Sequence, residues 1–337
     1  MHSINEPTGT TVRLPDEARA AVADALGSPS GLGAALPDTD AGAYLAHGAK
    51  LLRNCLPPQT LDALASWRRE PTPWLTLTNL PEQGSDVPTP QDGFCDESLV
   101  TLPNLVHFGL LRLLGLTPVA YRWENDGRLI RNVAPRAEAA RTNTSWGYAR
   151  PLDWHTDDSV LEHGPHATAT EAIPHYLSFY GVRNTEGVPT GQLPVDAVLA
   201  ALAPETAEAL RRPEFAVSAP ESYRAGDDGR PAARTAVPLL WTLPDGRTGL
   251  RYGPGLARGL TAEAGAALAA FEAVLAGMDG APVLIGAGGF HVFDNRRVMH
   301  RRVPFTPAAA GRARWLRRCY ALGPVAAGGR PAPRPAR

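Results

Sequence analysis

From about residue 119 onward the chain is a succession of short β-prone runs cut apart by turn residues, and this constrains its fold more than any other feature. The runs are VAYRW, GRLIRNV, HYLSFYGV, FAVSA, AVPLLW, GLRYG, PVLI, FHVFDN, VMHRRVPF and WLRRCYAL, separated by Gly, Pro, Asn and Asp. Strands that follow one another this closely suit antiparallel pairing, since parallel strands need long crossovers. A barrel or sandwich is therefore expected rather than a parallel sheet. Two helical patterns interrupt the series, at residues 193–211 and 260–278. The second opens at Thr261, a good capping residue, with Glu263 two positions on.

The first part of the chain differs in texture. Residues 15–69 contain PDEARAAVADAL, AYLAHGAKLLRNCL and QTLDALASWRRE, each with apolar residues three and four apart, which predicts three helices. WLTLTN (74–79) then alternates like a strand. Residues 104–114 read as an apolar helix that Gly115 ends. Residues 1–12 are polar and the segment from Ala326 (AAGGRPAPRPAR) is rich in Pro, Gly and Arg, so both are expected to be flexible tails. One domain over residues 13–325 is the expected organisation: mainly β with α, a helical N-terminal portion packed on a β-core.

Composition excludes several classes. Of 337 residues 44% are hydrophobic, enough for a large core, and 33 Lys and Arg against 34 Asp and Glu give a formal charge of −1. That balance predicts no long-range attraction to nucleic acid or to an anionic membrane. Lys50 is the sole lysine, so arginine abundance is a compositional habit of this chain and carries no functional weight. Cys55, Cys95 and Cys319 are odd in number and far apart, which argues against a disulfide framework and for a reducing compartment. The opening MHSINEPTGT has no apolar stretch of signal-peptide kind, and no segment reaches the ~18 apolar residues of a membrane span. A cytoplasmic protein is expected.

The chemistry is concentrated in DWHTDD (153–158). In an extended segment His155 and Asp157, two apart, project from the same face. One imidazole and one carboxylate make two adjacent metal ligands. A second imidazole from a distant strand completes a facial set of three and leaves the opposite positions open. His300, in DNRRVMHRRVPF, supplies it. H-x-D alone is a weak motif, and His2, His47, His107, His163, His166, His175 and His291 read as tail, surface or hydrogen-bonded imidazoles. What strengthens the motif is Arg314, fourteen residues after His300 in the strand-like run ARWLRRCYAL. A guanidinium buried there needs an anion, and a dicarboxylate would provide one through a two-pronged pair. A solvent-facing strand arginine is the alternative for that residue alone.

Several pieces together resemble a known family: ENDGRLIRNVAP (124–135), LDWHTDD (152–158), YLSFYGVRNTEGVPTG (176–191), FDNRRVMHRRVPF (293–305) and RWLRR (314–318). The sequence is similar to the clavaminate synthase-like iron(II)/2-oxoglutarate dioxygenases, in particular the hydroxylases of free arginine, asparagine, lysine and citrulline. The resemblance implies a double-stranded β-helix (jelly-roll) fold, with Fe(II), 2-oxoglutarate and dioxygen as the reacting partners of a small amino acid. It implies His155, Asp157 and His300 as iron ligands, and Arg314 with Thr190 as the seat of 2-oxoglutarate. Arg318, with Ser145, would take the substrate α-carboxylate, and Glu124 the α-amino group. Relatives usually carry Glu where Asp157 stands, and a halogenase would carry a small residue there. The loop LRYGPGLARGL (250–260) lacks the acidic pair usual in arginine hydroxylases, which favours a neutral polar side chain of citrulline or amide type.

Other readings remain open on the sequence. They are a desaturase, a hydroxylase of a carrier-tethered amino acid, a non-catalytic jelly-roll binding protein, and a zinc hydrolase using Asp158 or Glu162 as base. Residues 212–234, rich in Pro, Gly and charge, are expected to form a lid.

Overall fold

A computed structural model describes residues 9–27, 35–163, 167, 171–223 and 232–323. Two antiparallel sheets carry the architecture. The larger has seven strands in the order Thr10–Arg13, Trp74–Thr78, Phe290–Asp294, Tyr176–Arg183, Trp315–Leu322 and Thr117–Val119, with Ile130–Val133 also paired to Trp315–Leu322. The smaller has four, in the order Ala281–Val283, Thr190–Pro194, Val298–Arg302 and Leu152–His155. Only the first pair of the large sheet is parallel.

Period-two alternation decides what each face of the large sheet meets. Leu177, Phe179, Phe293, Leu316 and Tyr320 pack with Trp154, Leu193, Val298 and Met299 of the small sheet in one core. Their neighbours Tyr176, Tyr180, Val292, Cys319 and Ala321 pack instead on the helical layer, with Tyr44, Leu52, Leu105 and Phe108. The strand Trp315–Leu322 is thus buried on both faces, which is why its sequence shows no clean apolar–polar alternation.

The expected helices appear as Asp16–Leu26, Ala41–Cys55, Pro58–Arg69 and Thr101–Leu113. Ala41–Cys55 and Thr101–Leu113 touch backbone to backbone: a Cβ on Gly48 would lie 2.2 Å from the carbonyl oxygen of Leu105. Ala262–Ala276 forms with Thr261 as its cap, the hydroxyl accepting from Ala264 N–H. Residues 193–211 do not make one helix. They close the strand Thr190–Pro194 and then form Val195–Ala201 and Pro204–Leu210, interrupted where Pro204 starts a new first turn. Residues 10–12, expected in a flexible tail, are instead part of a strand: Thr10–Arg13 pairs with Leu75–Thr78 and the Thr10 hydroxyl meets that of Thr72 at 2.9 Å. Residues 1–8 and the C-terminal tail from 326 lie outside the described residues.

Arg317 and Arg318 leave opposite faces of their strand. Arg317, fully buried on the helical side, is bonded to Glu97, to Asn104 Oδ1 at 2.7 Å and to Asn132 Oδ1 at 2.9 Å. Nearby, His107 is fully buried and shares a 2.8 Å hydrogen bond with Ser178 Oγ. Burial, reinforced by Arg317, pushes His107 down to about 3. Its folded-state pKa lies below its unfolded value, so the neutral imidazole's stabilising effect is complete above about pH 6.5 and is lost as pH falls from there toward 3. Denaturant unfolding should therefore show His107→Gln removing about 1.4 kcal/mol per pH unit of the stability slope between pH 6.5 and 5. Equal slopes in the two proteins would refute the assignment.

Candidate active site

The site is built where the small sheet faces the strand Trp315–Leu322. His155 ends its strand and stands opposite His300 in register, so antiparallel pairing sets the two imidazoles side by side, ring centres 4.1 Å apart. Asp157 lies just past the strand, in a turn, and not on the extended face that the H-x-D spacing suggested. Its backbone is held by Asn295 from the far side of the chain. Asp157 N–H donates to Asn295 Oδ1 at 2.8 Å, and Asn295 Nδ2 donates to the Asp157 carbonyl at 3.0 Å. The result brings Asp157 Oδ1 to 3.3 Å from His155 Nε2 and 3.6 Å from His300 Nε2.

A hydrogen bond sets the tautomer of His155, and electrostatics favour the ligand forms of His300 and Asp157. His155 Nδ1 faces the Asp153 carbonyl at 2.7 Å, which puts the proton on Nδ1 and leaves Nε2 as a lone pair. Burial, with His155 alongside, pushes His300 down to about 3, so its imidazole is neutral. Burial opposes ionisation of Asp157, yet Arg318 and the two imidazoles hold its carboxyl well below the usual range. Its second oxygen, Oδ2, accepts from Arg318 Nη1 at 3.0 Å and from Tyr320 O–H at 2.9 Å. One oxygen is thus free to meet a metal. This donor set, two Nε2 atoms and one carboxylate oxygen on one side of a point with the other side open, suits a ferrous ion.

All eight residues singled out from the sequence line one cavity of about 370 Å³. Arg314 is buried at its far wall and touches Thr190 Oγ1 at 3.4 Å, with its Nε bonded to nothing. Burial, with Arg302 nearby, pulls its pKa down to about 9. A buried cation in that condition calls for an anion, and a dicarboxylate fits. Glu124 Oε1 accepts from Arg318 Nη2 at 2.9 Å and from Arg131 Nη1 at 2.5 Å. Ser145 Oγ accepts from Arg131 Nε at 2.7 Å, which leaves its hydroxyl proton free to donate.

Sequence reasoning missed Arg131, Arg302, Tyr320 and Asn295. Two of these carried a usable signal. Tyr320 is two residues after Arg318 and shares its strand face, and Arg131 is its register partner across Ile130–Val133. Asn295 had none, since its role depends on a backbone 138 residues away. The loop at 250–260 lines the cavity through Gly253–Leu256 and brings no acid, as expected. Asp153, Asp158 and Glu221 line it from elsewhere. Of the expected lid, Pro220–Ser222 line the cavity, and residues 224–231 lie outside those described.

The family description "Taurine catabolism dioxygenase TauD, TfdA family" matches residues 106–320, well over half of the chain and inclusive of Glu124, His155, Asp157, His300, Arg314 and Arg318. The chain belongs to the TauD/TfdA family. Among TauD/TfdA relatives, enduracididine beta-hydroxylase of Streptomyces hygroscopicus is 27% identical over 296 residues, covering 80% of this chain and 83% of that one. L-asparagine oxygenase of Streptomyces coelicolor is 28% identical over 275 residues, covering 79% and 76%. The fold is shared with an asparagine oxygenase solved with Fe(II), 2S,3S-3-hydroxyasparagine and succinate, at a TM-score of 0.76, 22% identity and 92% coverage of both chains. It is shared also with the non-heme iron oxygenase OrfP bound to Fe and alpha-ketoglutaric acid, at 0.73, 23% identity, and 92% and 93% coverage. As a TauD/TfdA protein the chain is a non-haem iron dioxygenase, and among the described residues no helix is long and apolar enough to cross a membrane.

Asn295→Ala removes both clamps on the Asp157 backbone. It should lower iron(II) affinity by about 10- to 100-fold in a chelator competition. Unchanged affinity would show that Asp157 is positioned without it.

Proposed function

We propose that this protein hydroxylates the side chain of a free L-α-amino acid, with iron(II), 2-oxoglutarate and dioxygen. The observation that carries the reading is the pairing of two separate charge seats with one open-sided ligand set in a single cavity. His155, Asp157 and His300 would hold the iron. When bound with 2-oxoglutarate and dioxygen, iron supplies the oxidation that places one oxygen atom in a substrate C–H bond and the other in succinate.

The remaining work belongs to the chain. Arg314, assisted by Thr190, takes the far carboxylate of 2-oxoglutarate, ending the isolation of a buried guanidinium. Arg318 takes the substrate α-carboxylate and Glu124 the α-ammonium, so the amino acid is gripped at both charged ends and one side-chain carbon is turned toward the metal face. Arg131, bridging Ser145 and Glu124, keeps Glu124 oriented. A substrate tethered to a carrier through its carboxyl group would leave Arg318 facing a neutral group. The side chain is polar, of guanidino, ureido or amide type, and relatives acting on enduracididine and asparagine support that class. We read the two facing antiparallel sheets as a double-stranded β-helix, residues 10–323 as one domain, and the three free cysteines as those of a cytoplasmic enzyme. Work on specialised metabolites is the setting its relatives suggest.

The deciding experiment incubates iron-loaded protein and 2-oxoglutarate with arginine, citrulline, asparagine, lysine and ornithine, recording succinate and product mass. One of them should stimulate succinate release and gain sixteen mass units; a loss of two would indicate desaturation, and no stimulation by any would sink the proposal. Asp157→Ala should abolish coupled turnover. Arg314→Lys should raise the KM for 2-oxoglutarate at least about tenfold with a smaller change in the amino acid KM, because a point charge replaces a fork. Matched changes in both would contradict the seat assigned to it.

A further inference from the structure

Asp158 is a buried acid that the mechanism above does not use. It is 5% exposed, it lines the same cavity as Arg318 and Glu124, and its Oδ2 has no hydrogen-bond partner. Two consecutive residues in an extended strand would point to opposite faces. Here Asp158 has φ +54, a left-handed conformation that Asp tolerates better than most residues, and its carbonyl accepts from Leu161 N–H at 3.0 Å. That turn lets both Asp157 and Asp158 face the cavity.

The neighbouring charges leave Asp158 without a cation of its own. Arg318 bonds to Asp157 and Glu124, and Arg131 bonds to Glu124; neither is bonded to Asp158 among the described contacts. Both guanidiniums use the same oxygen of Glu124, Oε1, so Glu124 keeps only Oε2 for anything that arrives. An alkylammonium brings three N–H donors and needs more than one acceptor when it leaves water. In an α-amino acid the ammonium is one carbon from the carboxylate, so its acceptors must flank the guanidinium that takes that carboxylate. Asp158 and Glu124 both act on Arg318 through their charges.

We propose that Asp158 is a specificity-determining residue: with Glu124 it forms a two-carboxylate seat for the substrate's α-ammonium, which restricts the enzyme to amino acids with a free primary amine. The inference rests on the hydroxylase reading for the placement of the α-carboxylate at Arg318. A neutral amide nitrogen, as in an N-acylated or peptide-linked residue, offers one donor and no charge, and would leave the buried Asp158 Oδ2 without a partner.

The test reads binding without turnover, so that it fails separately from the hydroxylase proposal. With iron(II) and 2-oxoglutarate loaded and oxygen excluded, calorimetry gives the Kd of L-arginine and L-citrulline, each beside its Nα-acetyl form and its α-hydroxy analogue. Asp158→Asn should weaken the free amino acids by about 10- to 100-fold and move the α-hydroxy analogues by less than about threefold, since only a cation loses a charge-assisted bond. Equal weakening of both classes, or of neither, overturns the proposal. Should that variant lose iron, Asp158→Ser is read in its place: a loss at least about tenfold greater for the free amines than for the α-hydroxy analogues supports the seat, and equal losses overturn it. Binding of no L-α-amino acid overturns this inference and the hydroxylase reading together, whereas turnover without amine discrimination overturns this one alone.

Discussion

The register that sets His300 opposite His155 is the constraint on which the site depends. Antiparallel neighbours hold their side chains a few ångströms apart on one face, and here two imidazoles from residues 145 apart in the chain occupy one such pair. Slipping the pairing by one residue would send His300 to the other face of the sheet. The small sheet is held by the core it shares with Leu177, Phe179 and Leu316, so the register is specified by burial rather than by the ligands themselves. Asp157 is added by a different device. It sits outside the ladder, where Asn295 supplies the backbone hydrogen bonds that a neighbouring strand would otherwise provide.

Burying so much charge between two sheets is costly unless each group is matched, and the molecule treats its arginines differently on that account. Arg317, on the structural side, is bonded to Glu97, Asn104 and Asn132. Arg318, one residue later and on the opposite face, is shared between Asp157 and Glu124, groups that also serve the cavity. Arg314 has no acid bonded to it. The guanidinium on the structural side is thus bonded to an acid, and the one that lines the cavity at Arg314 is not. Asp158 lines the same cavity as a buried acid with no cation bonded to it among the described residues, and burial with the neighbouring Glu124 and Asp157 pushes it up to about 8.

How much of this was legible in the chain varied with the range of the interaction. The short, turn-punctuated runs announced antiparallel sheets, and the helices Asp16–Leu26, Ala41–Cys55 and Pro58–Arg69 followed their apolar spacing. Residues 193–211 were misread as one helix because Leu193 and Pro194 complete a buried strand whose apolar face looks helical locally. Thr10–Arg13 offers one apolar residue, Val12, too little to show a strand, and an edge strand forms there because Trp74–Thr78 offers unpaired backbone groups. The arginine that donates to Ser145 Oγ lies on another strand, a pairing no spacing along the chain displays.

Local chemistry and periodicity determined, from the sequence by itself, the secondary-structure class, the closeness of His155 and Asp157, and the oddity of an arginine at 314 in an apolar run. Those depend on residue identity and on spacings of two to four, which a linear chain displays directly, whereas His300 joins them only through strand pairing. Only the tertiary structure decided which arginines are satisfied and which are not, that Asn295 holds Asp157, and that a left-handed turn brings Asp158 into the same cavity. Pairing of buried charges is a property of three-dimensional neighbourhoods, and no spacing along the chain encodes it.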